Sequence, residues 1–183
     1  MENDFLFGSD LQPKWDEVFT TQKAPPAGSI INTNYDSKLY DHILTIYPEM
    51  KAGLELCCGG GRRIRGGRSA MKNIFGINDR ELSMMWKLNG VEDFCKVGTV
   101  DDIPYKDNTF DFICYPDPLK NNKKGLREIK RVGYGRWYLK LGEDLSDSEW
   151  IQLLTDEGFY IDIFHKSDKD FFVSEGKFLK GDI

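Results

Sequence analysis

The sequence predicts an α/β fold, an open and mostly parallel β-sheet with helices on both faces. Strand-like and helix-like segments alternate from residue 36 onward, which is the order expected when helices connect parallel strands. The segment TFDFICY (109–115) is apolar on both faces, as in a central strand covered by two helical layers. A chain of 183 residues is long enough for one such domain with a substantial core.

Each element follows from a local pattern. Asp36 can cap a helix whose apolar residues recur at helical spacing up to Pro48. The five predicted parallel strands are GLELC, NIFGI, DFCKVG, TFDFICY and RWYLKL. Further helices are expected after Asp79, over 119–132, and over SDSEWIQLLTDEG (146–158), which carries a capping pattern. FYIDIFH and KDFFVS then predict two antiparallel strands joined through KSD.

The first 34 residues differ from the rest of the chain. Pro13, Pro25, Pro26 and Gly28 interrupt them, and such residues favour turns and irregular backbone. We therefore interpret 1–34 as an N-terminal arm or lid, and 35–183 as the folded domain.

The composition favours a folded cytoplasmic protein. Apolar residues make up 40% of the chain and aromatic residues 13%, and neither a membrane-spanning run nor a signal-peptide pattern is found. The four cysteines show no CxxC spacing and the chain has only two histidines, so metal sites and disulfides are disfavoured. No membrane partner is expected, and the sequence does not indicate an oligomeric state.

The charge is unevenly distributed. The chain carries −5 overall, yet residues 62–72 sum to +5 and residues 117–140 to +6. Two interpretations stay open. The basic segments can meet an anionic partner, or they can form two solvated helix faces.

The segment LELCCGGGRRIRGG (54–67) places three consecutive glycines directly after the first strand. Glycine adopts backbone angles closed to other residues and lets a ligand approach the main chain. In open parallel sheets, ligands bind beyond the carboxyl ends of the strands, where the strand order reverses. A flexible surface turn is the alternative, but this position favours a binding loop.

Four segments together resemble class I S-adenosylmethionine-dependent methyltransferases over residues 36–175. They are LELCCGGGR, IFGINDRELSMM, GTVDDIPYKDNTFDFI and LREIKRVGYGRWYL. The resemblance implies a Rossmann-like, seven-stranded, mostly parallel sheet with an antiparallel C-terminal strand pair. It also implies S-adenosyl-L-methionine as the cofactor.

The resemblance assigns a role to each matching position. Glu55 would lie near the methionine amino group and Asn78 near the ribose hydroxyls. Thr99 to Asp101 would lie along the adenine edge, and Tyr115 near the transferred methyl group. The full set of implied cofactor-binding residues is Glu55, Cys57, Gly59, Gly61, Asn78, Asp79, Thr99, Val100, Asp101 and Cys114.

The sequence departs from the family pattern at several of these positions. Cys57 stands where glycine is usual, Asn78 where an acid is usual, and Thr99 where aspartate is common. Gly66 and Gly67 interrupt the expected helix and cost it about 2 kcal/mol relative to alanine. The arginines around them can bind phosphate groups, or the helix can simply be lost; both interpretations stay open.

The segment YPDP (115–118) is the candidate catalytic loop. Tyr115 can stack on a flat substrate, and Asp117 can accept a proton if the acceptor is protonated. YPDP and the lysines after it also resemble the PDPW segment of tRNA guanine-N7 methyltransferases, with Leu119 in place of tryptophan. An ordinary proline-rich turn is the simpler interpretation.

Two functions follow as hypotheses. The first is a methyltransferase whose unknown acceptor is a small molecule, a nucleotide or RNA, with phosphate-bearing acceptors among the candidates. The second is a catalytically degenerate relative that acts as a binding or regulatory module. Nucleic-acid binding is a third and less favoured hypothesis, because the rest of the chain is acidic.

Overall fold

The computed structural model describes residues 38–68, 71, 73–166 and 172–178. The predicted N-terminal arm lies outside the described residues, as do Ser167 and Asp168 of the predicted KSD connection, whereas Lys166 is the last residue of the sixth strand. The first half of the chain contains α1 (Lys38–Ile46), β1 (Ala52–Leu56), α2 (Arg62–Gly67), β2 (Asn73–Asn78), α3 (Ser83–Leu88) and β3 (Cys95–Val97). The second half contains β4 (Phe110–Leu119), α4 (Lys123–Val132), β5 (Gly133–Leu141), α5 (Asp147–Asp156), β6 (Phe159–Lys166) and β7 (Phe172–Phe178).

The strands form one sheet in the order β3-β2-β1-β4-β5-β7-β6. Strands β1 to β5 pair in parallel, whereas β7 is antiparallel to both β5 and β6. The predicted α/β fold, with a parallel sheet and helices, is confirmed. The strand order reverses between β1 and β4, so a crevice is expected at their carboxyl ends.

Two apolar clusters cover the two faces of the sheet. One contains Leu54 and Leu56 of β1 together with Leu126 of α4 and Trp150 of α5. The other contains Tyr40 of α1, Ile64 of α2 and Trp86 of α3. Successive residues of a strand point to opposite faces. Glu55, between the two leucines, therefore faces the layer formed by α1, α2 and α3.

The two glycines in α2 allow it to pack closely on its neighbours. The helix has six residues, and both Gly66 and Gly67 are buried. A Cβ added to Gly67 would clash with the Tyr40 ring and lie 2.7 Å from Cδ1 of Ile74. The helix is thus short but not lost, and Gly67 is explained by the approach of α1 and β2.

The prediction of a helix over 119–132 is wrong at its beginning. Leu119 is the last residue of β4 and pairs with Leu141, and α4 begins only after Asn122, whose side chain accepts a hydrogen bond from the Gly125 amide. Pro116 and Pro118 explain the difference. Proline cannot donate to a strand ladder, and the register shifts between Tyr115 and Leu119 accommodate both prolines.

The predicted helix over 146–158 is confirmed with its cap. Ser146 and Glu149 form a reciprocal capping box, and Gly158 follows the helix with a positive φ of 84°. In the part of the chain that the structure describes, no helix has the length and apolar character needed to cross a lipid bilayer.

We expect Gly67→Ala to lower the free energy of unfolding by about 2 to 3 kcal/mol, because the methyl group overfills a closed contact. Urea denaturation measures the change. Gly53→Ala is the matched control, since its added Cβ would find its nearest neighbour, Met71 Sδ, at an ordinary 3.5 Å. Equal losses in the two variants would contradict the packing role of Gly67.

Candidate functional site

The glycine turn after β1 contains three residues in the left-handed backbone region. They are Cys57, Gly59 and Gly61, with φ of 57°, 53° and 78°. L-residues other than glycine rarely adopt this conformation. Cys57 therefore has the left-handed backbone conformation that glycine adopts more readily, although it carries a side chain.

One side of the turn is held by neighbouring side chains. Trp86 Nε1 donates to the Gly59 carbonyl at 2.8 Å, and Asn89 Nδ2 donates to the Gly60 carbonyl at 2.8 Å. The Gly59 amide donates to Asn78 Oδ1 at 3.2 Å, and Asn78 Nδ2 donates to the Arg80 carbonyl at 2.9 Å. These bonds fix the turn, and they engage both ends of the Asn78 amide.

The other side of the turn is open. No described atom lies within 4 Å of a Cβ added to Gly59. At Gly61, by contrast, an added Cβ would lie 2.6 Å from Cγ2 of Val91. The turn is thus packed against α3 and the residues after it, and the space beside the Gly59 Cα is open.

Glu55 is completely buried beside this turn. Its carboxylate accepts hydrogen bonds from the Tyr40 hydroxyl at 2.7 Å and from Arg63 Nη1 at 3.2 Å. Burial raises the pKa of Glu55, although the Arg63 charge and the Tyr40 hydrogen bond both oppose this shift. Glu55 therefore joins α1, β1 and α2, and its expected contact with the methionine amino group stays a prediction.

The predicted catalytic residues lie at the crevice between β1 and β4. Cys114 is buried and pairs with Glu55 across the two strands. The next residue, Tyr115, accepts a hydrogen bond at 3.5 Å from the Cys57 thiol. Burial raises the pKa of Tyr115 well above its usual value, so its phenol is protonated at neutral pH. Asp117 is exposed. Burial raises the pKa of the Cys57 thiol, and the Asp117 charge adds to this shift.

The residues predicted along the adenine edge follow β3. Thr99 bridges to Asp102, and the Asp101 carboxylate accepts a hydrogen bond from Asn122 Nδ2. Val100 Cγ2 lies 3.0 Å from the position of an added Cβ on Gly125. These contacts attach the loop after β3 to the beginning of α4. The Asp101 charge acts on the Tyr115 phenol, so both belong to the same edge of the sheet.

Four residues that the sequence did not single out complete the site. Tyr40 and Arg63 hold Glu55, and Trp86 and Asn89 hold the glycine turn. Only Arg63 offered a signal, since it follows the glycines in the basic segment. In the described residues, no group of three or more His, Cys, Asp or Glu side chains is placed to hold a metal ion.

Comparison with solved structures identifies the fold. A SAM-dependent methyltransferase from Aquifex aeolicus is 19% identical, with a TM-score of 0.57, and the match covers 81% of this chain and all of that one. A TehB-like SAM-dependent methyltransferase from Corynebacterium glutamicum is 17% identical, with a TM-score of 0.62 and coverage of 91% and 95%. One from Methanosarcina mazei is 19% identical, with a TM-score of 0.59 and coverage of 76% and 98%.

The chain therefore has the fold of the class I SAM-dependent methyltransferases, as the sequence resemblance predicted. No protein-family model matches the sequence, and no curated protein sequence matches it. At these low identities the likeness concerns the fold. The roles of individual residues depend on the geometry described above.

We expect Arg63→Met to lower the free energy of unfolding at pH 7 by about 3 kcal/mol, because it leaves the Glu55 carboxylate buried without a countercharge. Folding raises the pKa of Glu55, so the folded state favours the protonated carboxyl. The loss is therefore present above that raised pKa and is relieved as the pH falls below it.

Denaturation at pH 7 and near pH 4 measures this effect. Arg62→Met, a substitution of the same kind at the adjacent position, is the control and should cost much less at both pH values. A loss in Arg63→Met that did not change with pH would contradict the role of the Glu55 charge.

Proposed function

We propose that the protein is an S-adenosylmethionine-dependent methyltransferase with an acceptor still to be identified. The observation that carries the proposal is the turn at residues 57–61. It is left-handed at three positions and open at Gly59, and it lies where the strand order reverses in a methyltransferase fold. Such a turn lets a ligand contact the main chain directly.

The residues around the turn fit this cofactor. Asp79 is exposed directly after β2, and because both ends of the Asn78 amide are engaged, Asp79 is the better acceptor for ribose hydroxyls. A carboxylate also makes hydrogen bonds about twice as strong as a neutral group. Asp101 and Val100 follow β3 and would border the adenine.

The bound cofactor would supply an activated methyl group. The protein would orient the two reactants and accept a proton from the methyl acceptor. Holding reactants in line can account for most of the acceleration in such a transfer. The protonated Tyr115 phenol can donate a hydrogen bond to an acceptor in the crevice. Asp117, exposed beside it, can take a proton from that acceptor.

One observation favours the second candidate, a binding module without catalysis. The Cys57 side chain contacts the Tyr115 hydroxyl at the carboxyl ends of β1 and β4, where the cofactor crevice is expected. If this contact closes the site, the fold would keep its architecture without binding the cofactor.

All four cysteine thiols are free, which fits the expected cytoplasmic environment under either proposal.

We expect saturable heat of binding when S-adenosylmethionine is titrated into the protein in a calorimeter. Asp79→Asn should weaken this binding about tenfold, since a charge-assisted hydrogen bond contributes about 1.5 kcal/mol or more. Arg80→Gln, at the adjacent exposed position, should leave the affinity unchanged. No heat at millimolar cofactor would contradict the enzyme and favour the binding module.

We expect Cys57→Gly to bind S-adenosylmethionine more tightly than the natural chain. The substitution removes the thiol from the crevice and relieves a left-handed backbone that costs about 1 kcal/mol in a residue with a side chain. Its unfolding free energy should therefore be equal or higher. Weaker cofactor binding in Cys57→Gly would show instead that the Cys57–Tyr115 contact helps to form the site.

A further inference from the structure

A cleft of about 380 Å³ lies between the end of α2 and the end of α3. Its lining residues are Arg65, Arg68, Lys87, Leu88, Asn89, Gly90 and Val91. None of the residues assigned to the cofactor or to catalysis lines it. The volume lies within the range of small-molecule sites and near its lower end.

The lining carries three cationic side chains and no acidic one. Arg68 is fixed in place, because its guanidinium carbon lies 3.2 Å from the centre of the Phe94 ring. Arg68 Nη1 is buried and has no hydrogen-bond partner among the described residues. Guanidinium groups bind phosphate oxygens with paired hydrogen bonds, so Arg65 and Arg68 give the lining of the cleft two groups suited to phosphate.

The second basic segment of the chain behaves differently. Its arginines form ion pairs within the protein: Arg127 with Glu157, Arg131 with Glu128, and Arg136 with Asp162. Internal contacts therefore account for the three arginines of that segment. The first basic segment differs, since its Arg65 and Arg68 line the cleft.

Asn89 adds a polar group of a different kind. It is only 2% exposed, and its Nδ2 donates to the Gly60 carbonyl. Since a carbonyl can only accept, the amide oxygen must be directed away from Gly60. Asn89 Oδ1 has no hydrogen-bond partner among the described residues, and a buried acceptor without a donor costs about 1 to 3 kcal/mol. Asn89 also lines the cleft, so a small shift of its side chain would bring this acceptor to a hydroxyl group bound there.

We propose that this cleft binds a sugar phosphate, either free or as part of a mononucleotide. Arg65, Arg68 and Lys87 would bind the phosphate, and Asn89 would accept a hydrogen bond from a sugar hydroxyl. Asn89 also donates a hydrogen bond to the Gly60 carbonyl. A ligand in the cleft that shifts Asn89 therefore also shifts the glycine turn. This inference does not depend on methyl transfer, and it concerns a site separate from the crevice at β1 and β4.

A single-stranded RNA backbone would offer the same phosphate chemistry, but the structure favours a small ligand. The three cations are confined to one cleft, and the chain as a whole has a net charge of −5. Tracking a long polyanion requires an extended basic surface.

The test uses the full chain at low ionic strength, with ribose 5-phosphate as the probe and uncharged ribose as its control. We expect saturable binding of ribose 5-phosphate in a two-dimensional amide NMR titration, with shifts at residues 87–90 and at Gly60. Ribose should produce none. AMP is titrated in parallel as the mononucleotide form of the ligand. A higher affinity for AMP than for ribose 5-phosphate would show that the cleft binds a mononucleotide and not a free sugar phosphate.

Three variants locate the site. Arg65→Gln and Lys87→Gln should each weaken ribose 5-phosphate binding at least fivefold. Arg62→Gln removes the same charge from the first residue of α2, outside the cleft, and should leave the affinity unchanged. Folding of each variant is checked by its amide spectrum.

Several outcomes would overturn the proposal. They are the absence of saturable binding at millimolar ribose 5-phosphate, an equal loss in Arg62→Gln, or RNA binding more than a hundredfold tighter than AMP that Arg62→Gln also weakens. A parallel titration with S-adenosylmethionine separates this failure from failure of the proposed function, because the probe contains no adenine and neither Arg65 nor Lys87 is among the residues assigned to the cofactor.

Discussion

The buried Glu55 carboxylate, held by Tyr40 and Arg63, is the interaction on which the rest of the site depends. A carboxylate is costly to bury unless it is paired and hydrogen-bonded, so the three elements that supply these groups must meet in one arrangement. This fixes α1 and α2 against β1 directly below the glycine turn. The position of the turn at the sheet edge is therefore set by the Glu55–Arg63 ion pair, on the side of the sheet that α1 and α2 cover, and not by the turn alone.

Close packing in the same layer explains why this region is rich in glycine. Gly67 lets α2 approach Tyr40 and Ile74, and a Cβ on Gly76 would lie 2.7 Å from Cys58 Sγ. Gly67, one of the two glycines that interrupt the helix pattern, therefore makes room for Tyr40, a buried partner of Glu55. The six-residue α2 depends on this packing, since isolated helices of that length are not stable in water.

The glycine turn has two sides with different uses. Trp86 and Asn89 occupy one side through the carbonyls of Gly59 and Gly60, while the main chain at Gly59 is open on the other. The open side suits a cofactor that contacts backbone. The packed side connects the turn to the cationic cleft, so two ligands can influence one short segment of main chain without touching each other.

Local patterns in the sequence were sufficient for the fold, the element order, the capped helix at 146–158 and the position of the glycine turn, because these depend on periodicity, capping and turn chemistry between near neighbours. They failed where distant residues decide. The extension of β4 to Leu119 depends on its pairing with Leu141, and Tyr40 reaches Glu55 across 15 positions. The cleft lies between the ends of α2 and α3, whose approach depends on how both helices pack on the sheet. Spacing along the chain carries no record of such contacts, so tertiary structure alone determined them.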